Sequence, residues 1–539
     1  MNHHQANIPA RIDRRSFLTS TEIAAAGLLL PGALTKGFAA SVGQPASTVT
    51  IRSGKVRGRL VDGVHTFKGI PYGAPTGGAN RFMPPQPLEP WAGVREAFES
   101  GCYAPQSDWK PKGPKQGEYW SLFSPPDTAA ANEDCLNLDV WTRGINDGGR
   151  RPVMVWIHGG GTDHGNGIAP GYDGDGLARH QDVVMVTLNH RLGVLGYLFL
   201  GDVGGPGFES AANVGQLDLV AALQWVRDNI SAFGGDPNKV LIYGQSGGGA
   251  KISKLMGMPG AQGLFQRAAI QSGAGGSTDR RAVASKSAGE LLASLGLRNG
   301  RELQRVPLDK LIAASSSGKW KPVVDGTVLP AEPFDPVAMT LSADVPVIVG
   351  TTRTESTAGE VDNPGYGQLD EAGLLSRTQR LVGDSAEKII ETYRHKSPKA
   401  TPYELAVNIR SDADMLSSIR LAERRAALGR APTYLYVFAW ETPVMGLRAP
   451  HAAELPFVFN HIDASARMVG PVTPPMKTLE AATAGAWAAL ARGGDPNHAG
   501  LPAWPPYTPA SRATMIFDAP CRVENDPVEE VRKIVGKRA

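Results

Sequence analysis

Cysteine is scarce, with Cys102, Cys135 and Cys521 the only three in 539 residues. That excludes a disulfide scaffold, and a chain this long buries a large core without one. Charge of either sign is not in excess: the net value is +3, which leaves no basic field for nucleic acid. Beyond the N-terminal 40 residues no window of about 18 uninterrupted apolar residues occurs, so no stable membrane span is expected in the mature chain. H-E-x-x-H, paired Cys-x-x-Cys and nucleotide-binding fingerprints are missing too, so neither a metal nor an organic cofactor is expected. Glycine, by contrast, is abundant at 64 residues beside 42 prolines, without the Gly-X-Y period that collagen needs. Hydrophobic residues at 42% and charged residues at 20% fit a loop-rich globular enzyme.

The N-terminus reads as an address. Arg14 and Arg15 precede Ser16-Phe17-Leu18, an apolar stretch runs from Ile23 to Leu34, and Lys36, Ala39 and Ala40 close it. This resembles a twin-arginine export signal cleaved near Ala40, which would send the mature protein to the periplasm or outside the cell. An uncleaved amphipathic helix or a retained anchor is the alternative. Gly27 and Pro31 interrupt the apolar stretch and argue against a spanning helix.

Short apolar runs bounded by turn residues recur at Val153–Ile157, Val183–Thr187, Val240–Tyr243, Val345–Val349 and Tyr434–Phe438. Their length and Val/Ile content suit strands buried on both faces. Helical patterns lie between them, clearest at Gln216–Asn229 and Ser411–Leu428. Alternation of this kind predicts an α/β fold on a mainly parallel sheet. Residues 280–320 and 365–430 are helix-leaning stretches without strands, expected to form a cap or side subdomain. Residues 41–539 are expected to fold as a single domain.

Chemistry is expected at strand ends. The run Val240–Tyr243 leads straight into Gly244-Gln245-Ser246-Gly247-Gly248, a G-x-S-x-G in the strand-to-helix context of a nucleophile turn. Alone the motif is weak, because glycine is common here and an ordinary turn opening a helix looks the same. His158-Gly159-Gly160-Gly161 follows the run Val153–Ile157, and its backbone N–H groups can converge on a developing oxyanion. Gly160 and Gly161 would give two donors and Gly247 a third. A serine hydroxyl also needs a base and an orienting carboxylate, both downstream in this chain order. His451 is favoured among His395, His451, His461 and His498 by its place after the run Tyr434–Phe438. Glu355, after Val345–Val349, is the favoured acid, with Asp325 and Glu360 as rivals that pattern alone does not dismiss.

Longer ordered motifs add specificity. Phe233-Gly234-Gly235-Asp236-Pro237 through Gly248, Glu133-Asp134-Cys135-Leu136-Asn137-Leu138, Phe67-Lys68-Gly69-Ile70-Pro71-Tyr72, the stretch Asn189–Gly193 and Gly494-Asp495-Pro496-Asn497 occur in order. Together they resemble the type-B carboxylesterases, α/β-hydrolases that include cholinesterases and para-nitrobenzyl esterases, from about Thr48 to Pro527. The resemblance implies Ser246 as nucleophile, Glu355 as acid and His451 as base of a triad. It also implies a Cys102–Cys135 disulfide with Cys521 free, and Ser272 as a second-layer partner, although a serine capping a turn reads equally well.

Three departures stand out. Gln245 replaces the cholinesterase glutamate beside the nucleophile and makes choline esters less suitable substrates. Gly247 replaces the usual alanine, which is expected to keep the oxyanion amide while loosening the turn. His190 takes a tyrosine position with no predicted effect. The resemblance implies cofactor-free hydrolysis of a small-molecule ester through an acyl-enzyme. An amidase, carbamate hydrolase or lipase would share the machinery, and a recognition protein of this fold would usually lose the serine. Neither the natural ester nor the oligomeric state is written in these motifs.

Overall fold

Branched side chains pack well on both faces of a pleated surface, and the Val- and Ile-rich runs gather into one sheet for that reason. The computed structural model describes residues 44–107, 110–276 and 278–535, within a unit spanning Gly43–Ala539. The expected export signal at 1–40 lies outside the described residues. Five strands come early: β1 (Gln44–Ile51), β2 (Gly54–Val61), β3 (Val64–Pro71), β4 (Val94–Glu96) and β5 (Asn137–Thr142). Next come β6 (Arg151–Ile157), β7 (Val184–Leu188), β8 (Gly235–Gln245), β9 (Arg267–Gln271) and β10 (Val347–Thr352). The last three are β11 (Thr433–Phe438), β12 (Ala513–Phe517) and β13 (Arg522–Asn525).

The sheet order is β1-β2-β3-β5-β7-β6-β8-β9-β10-β11-β12-β13, with β4 beside β2. The block from β7 to β12 is parallel throughout. Antiparallel strands flank it on both sides, from β5 outward to β1 and at β13. The five expected runs all lie in the parallel block. Val345–Val349 is displaced toward the C-terminus, since the strand begins at Val347 and runs on to Thr352. The antiparallel flank was not anticipated.

Helices cover both faces. Val214–Asn229 buries Leu219, Leu223 and Val226 in the same core as Val153, Val240 and Ile242. Opposite, Pro474–Gly493 sets Trp487 and Leu490 against Trp156, Tyr243 and Tyr436. The two helix-leaning stretches behave differently from each other. Residues 281–315 form helices whose Ala288, Leu291, Leu292 and Leu311 make a small separate core with Phe82, Leu195 and Phe208. The helices between Glu371 and Ala426 instead join the main core through Leu374, Ile389, Leu405 and Ile409.

Two sequence motifs prove to be packing devices. Arg191 forks onto both carboxylate oxygens of Asp218 at 2.8 and 2.6 Å, and both side chains are fully buried. Arg81 grips Glu133 in the same two-pronged way at 2.7 and 2.6 Å. The implied disulfide is not formed: Cys102, Cys135 and Cys521 are free thiols. Burial pushes the Cys102 and Cys135 thiols above their ordinary range. No helix among the described residues is long and apolar enough to cross a membrane.

Candidate active site

The strand ends carry the site. Ser246 follows β8 at φ 58° and ψ −123°, a conformation that costs a non-glycine residue roughly 1–3 kcal/mol. Its backbone N–H donates to Gln271 O on β9 at 2.7 Å, and Ala250 N–H returns to Ser246 O at 3.0 Å. The flanking glycines are required by close approach. A Cβ at Gly244 would lie 2.5 Å from Ile157 O, and one at Gly248 2.0 Å from the same atom. The helix Gly247–Leu255 starts here, so its positive end faces the serine.

His451 sits on the loop after β11. Its Nδ1 hydrogen-bonds Glu355 Oε2, and its Nε2 lies 3.0 Å from Gln245 Nε2. Glu355 follows β10 and accepts Ser272 Oγ at 2.7 Å and Thr352 N–H at 2.8 Å on Oε1. Tyr119 donates to His451 O at 2.8 Å, and the Trp120 ring stands edge-on to the imidazole at 6.3 Å. The rival carboxylates are engaged elsewhere. Asp325 accepts the N–H groups of Thr327 and Leu329 in a turn, and Glu360 pairs with Arg377. His498 is bonded to Ala482 O, and His395 is exposed.

The glycine turn after β6 comes against this serine. Gly160 and Gly161 have φ of 89° and 64°, the left-handed region that favours glycine. Gly247, where alanine is usual, packs closely on the glycine turn. A Cβ on it would stand 2.3 Å from Gly161 O and 2.4 Å from Gly161 N, so the missing methyl lets the helix start close against Gly161.

Charges shape the titration of the ring. Burial alone would lower His451, but the charge and hydrogen bond of Glu355, with Glu454 and Asp414 beyond, hold it above its ordinary value. Glu355 is likewise held below the usual range despite burial, chiefly by His451. Glu454, three residues after His451, was missed as a functional candidate. Burial and the Glu355 charge push it up to about 7, and Gln271 Nε2 donates to its Oε1 at 3.1 Å. Its signal was present in His451-x-x-Glu454, since that spacing puts the two side chains near one another in a turn. Lys251, five residues after Ser246, was missed as well.

Ser246, His451, Gln245 and Gly159–Gly161 line a cavity of about 630 Å³. Tyr103, Trp120, Phe123 and Tyr172 form its aromatic walls, and among the described residues its lining includes no carboxylate. A cavity of this size suits a drug-sized ligand.

A G-x-S-x-G turn after the central strand β8 of a mainly parallel sheet, with a carboxylate after β10 and a histidine after β11 in chain order, has the layout of the α/β-hydrolase class. The sequence profile of the carboxylesterase family matches residues 45–533. The chain belongs to that family and is a carboxylic ester hydrolase. It is 36% identical over 505 residues to the para-nitrobenzyl esterase of Bacillus subtilis, covering 90% of this chain and 97% of that one. A crystal structure of a Geobacillus stearothermophilus carboxylesterase superposes with a TM-score of 0.77 at 37% identity, covering 91% of this chain and 100% of the other. An esterase from Clostridium hathewayi, described as able to hydrolyse aliphatic aromatic polyesters, superposes at 0.78 with 33% identity, covering 92% and 100%.

Proposed function

We propose that Ser246, His451 and Glu355 are the triad of this esterase and that Gly160, Gly161 and Gly247 hold the oxyanion. The observation that carries the reading is the His451 ring, bound to Glu355 through Nδ1 and presenting Nε2 to the nucleophile turn. His451 Nε2 takes the Ser246 proton as Oγ attacks the ester carbonyl. The oxyanion forms against the glycine amides, and the imidazolium is steadied by ionised Glu355, which stays unprotonated. The leaving alcohol departs with the proton from Nε2. Water, activated by the same nitrogen, then releases the acid from the acyl-enzyme.

Aromatic walls and a lining that includes Lys110 and Lys112 but, among the described residues, no carboxylate favour esters with an aromatic or short apolar group over cationic choline esters. The likeness to an aliphatic aromatic polyester hydrolase supports the same preference. Purified protein assayed on p-nitrophenyl esters from acetyl to palmitoyl should turn over short and medium chains fastest, and Ser246→Ala should abolish turnover in folded protein. Retained activity in that variant overturns the triad, and a peak at palmitoyl overturns the chain-length preference.

The twin-arginine segment further supports export, with a mature protein beginning near Ser41. Fractionation of an expressing bacterium tests it. A shortened periplasmic form that disappears in Arg14→Lys/Arg15→Lys is expected, and a full-length cytoplasmic form overturns the reading.

A further inference from the structure

One buried cation lies beside the proposed oxyanion turn and has no part in the mechanism above. Lys251 sits on the helix that begins at the nucleophile turn, is 1% exposed, and donates from Nζ to His158 O at 3.2 Å. Among the described residues it makes no ion pair within 4 Å, whereas neighbouring Lys254 is paired with Glu332 at 2.7 Å. Burying an ammonium without a tight partner costs several kcal/mol, so the chain tolerates a destabilising group at this spot.

The geometry of the turn gives that group a task. In a planar trans peptide the carbonyl oxygen and the following N–H point in opposite directions, so gripping one aims the other. Three successive carbonyls here are gripped. Lys251 Nζ holds His158 O, His158 Nδ1 holds Gly159 O at 2.8 Å, and His164 N–H holds Gly160 O at 3.1 Å. The amides thereby aimed the opposite way belong to Gly159, Gly160 and Gly161, two of which are the proposed oxyanion donors. Lys251 grips the first of the three.

The surrounding charges fit. His158 and His190 are buried and stacked 4.8 Å apart. Burial, with the Lys251 charge behind it, holds both rings well below their ordinary range and His164 down at about 4. All three are therefore neutral, and His158 bonds Gly159 O as an Nδ1–H donor. The one opposing charge is Asp163 on the same turn, which has a buried carboxylate oxygen without a hydrogen-bond partner and also feels the Lys319 charge. A cation fixed in a dry site acts strongly on charge developing nearby and costs no reorganisation when the reaction occurs.

We propose that Lys251 is a positioning residue of the oxyanion turn, its ammonium fixing the His158–Gly159 peptide and supplying positive potential against which the tetrahedral intermediate forms. This rests on the assignment of Gly160 and Gly161 as oxyanion donors. Burial pulls the lysine down to about 7, with Asp163 opposing, so its charge is lost as pH rises through that value. The kcat of the wild type should therefore decline on the alkaline side as Lys251 sheds its proton.

Lys251→Met tests it. Expected are a kcat lower by about thirtyfold, a KM within about twofold, and an equal loss of affinity for a trifluoromethyl ketone that adds to Ser246. The alkaline decline should vanish and thermal stability should hold or rise, since a buried charge is gone. Stoichiometric labelling of Ser246 by a fluorophosphonate separates this proposal from the triad reading, because labelling persists even if Lys251 is idle. Asp163→Asn is the second arm. Removing the carboxylate lowers the lysine further, so the decline should move to lower pH in a protein whose turn keeps its lysine. Folded, labelled Lys251→Met with unchanged kcat, ketone affinity and pH profile overturns the proposal. If that variant does not fold, an alkaline limb unmoved in Asp163→Asn overturns it alone.

Discussion

Gln245 Nε2 stands 3.0 Å from His451 Nε2, the ring nitrogen that accepts the Ser246 proton in the proposed triad. The amide donates to the lone pair the nucleophile needs, so the resting ring is committed to the Nδ1–H tautomer with Glu355 as its acceptor. In the proposed mechanism, Nε2 exchanges Gln245 for Ser246.

Gln245→Glu converts that donor into a charge. A carboxylate at this distance stabilises the imidazolium and raises His451 further above its ordinary value. The base is needed neutral, so the acid limb of kcat/KM should shift to higher pH, by about one unit. A pH–rate profile on one p-nitrophenyl ester checks it, and an unmoved limb would mean the residue does not face the ring in solution.

Glu454→Gln should move the same limb the other way. Glu454 titrates at about 7 and, once ionised, its charge adds to the forces holding His451 up. An amide keeps an oxygen for Gln271 but carries no charge, so His451 loses its proton at lower pH. Relative to wild type, kcat/KM should hold up better near neutral pH, where Glu454 is partly ionised, and converge with it at lower pH. A shift in the same direction as Gln245→Glu would contradict this electrostatic account.

The parallel strands, and the residues proposed as the triad, could be read from local rules. Val153–Ile157 and Tyr434–Phe438 are short apolar runs, and Gly244–Gly248 needs glycine where backbones nearly touch. The antiparallel flank was not legible. The strand Gly54–Val61 carries Lys55, Arg57 and Arg59 on a half-exposed face, which breaks the apolar run without breaking the strand. Arg267–Gln271 contains a single β-branched residue and is a strand because β8 and β10 enclose it. Pro402–Ala426 begins earlier than the pattern suggested, at a Thr401–Glu404 capping box that could have been read. Lys251 and Glu454 look like surface residues in sequence. Whether a charge is buried depends on distant segments, here the turn after β6 and the environment of Glu355.

The Arg191–Asp218 pair is a structural prediction rather than a catalytic one. Arg191→Met leaves Asp218 buried without its partner, which typically costs about 3–5 kcal/mol. Urea unfolding followed by circular dichroism should show a clear fall in midpoint. Arg191→Met/Asp218→Leu should recover much of it, because both desolvated charges are then gone. A double variant no better than the single one would assign the loss to packing around the arginine stem instead.

Gly247→Ala decides whether the close approach of Gly247 and Gly161 matters to the chemistry. The new methyl would need space that Gly161 N and O already occupy, so either the glycine turn or the helix start must give way. Backbone at the start of a helix packed under the central strand yields less readily than a turn of consecutive glycines. The turn should therefore retreat and carry the Gly161 amide off line. Ground-state binding depends on the aromatic walls and should survive, while stabilisation of the oxyanion weakens. The expected outcome is kcat lower by about tenfold or more with KM little changed. Equal kcat in the two proteins would show that the turn takes up a methyl without moving its amides, as relatives with alanine at this position must.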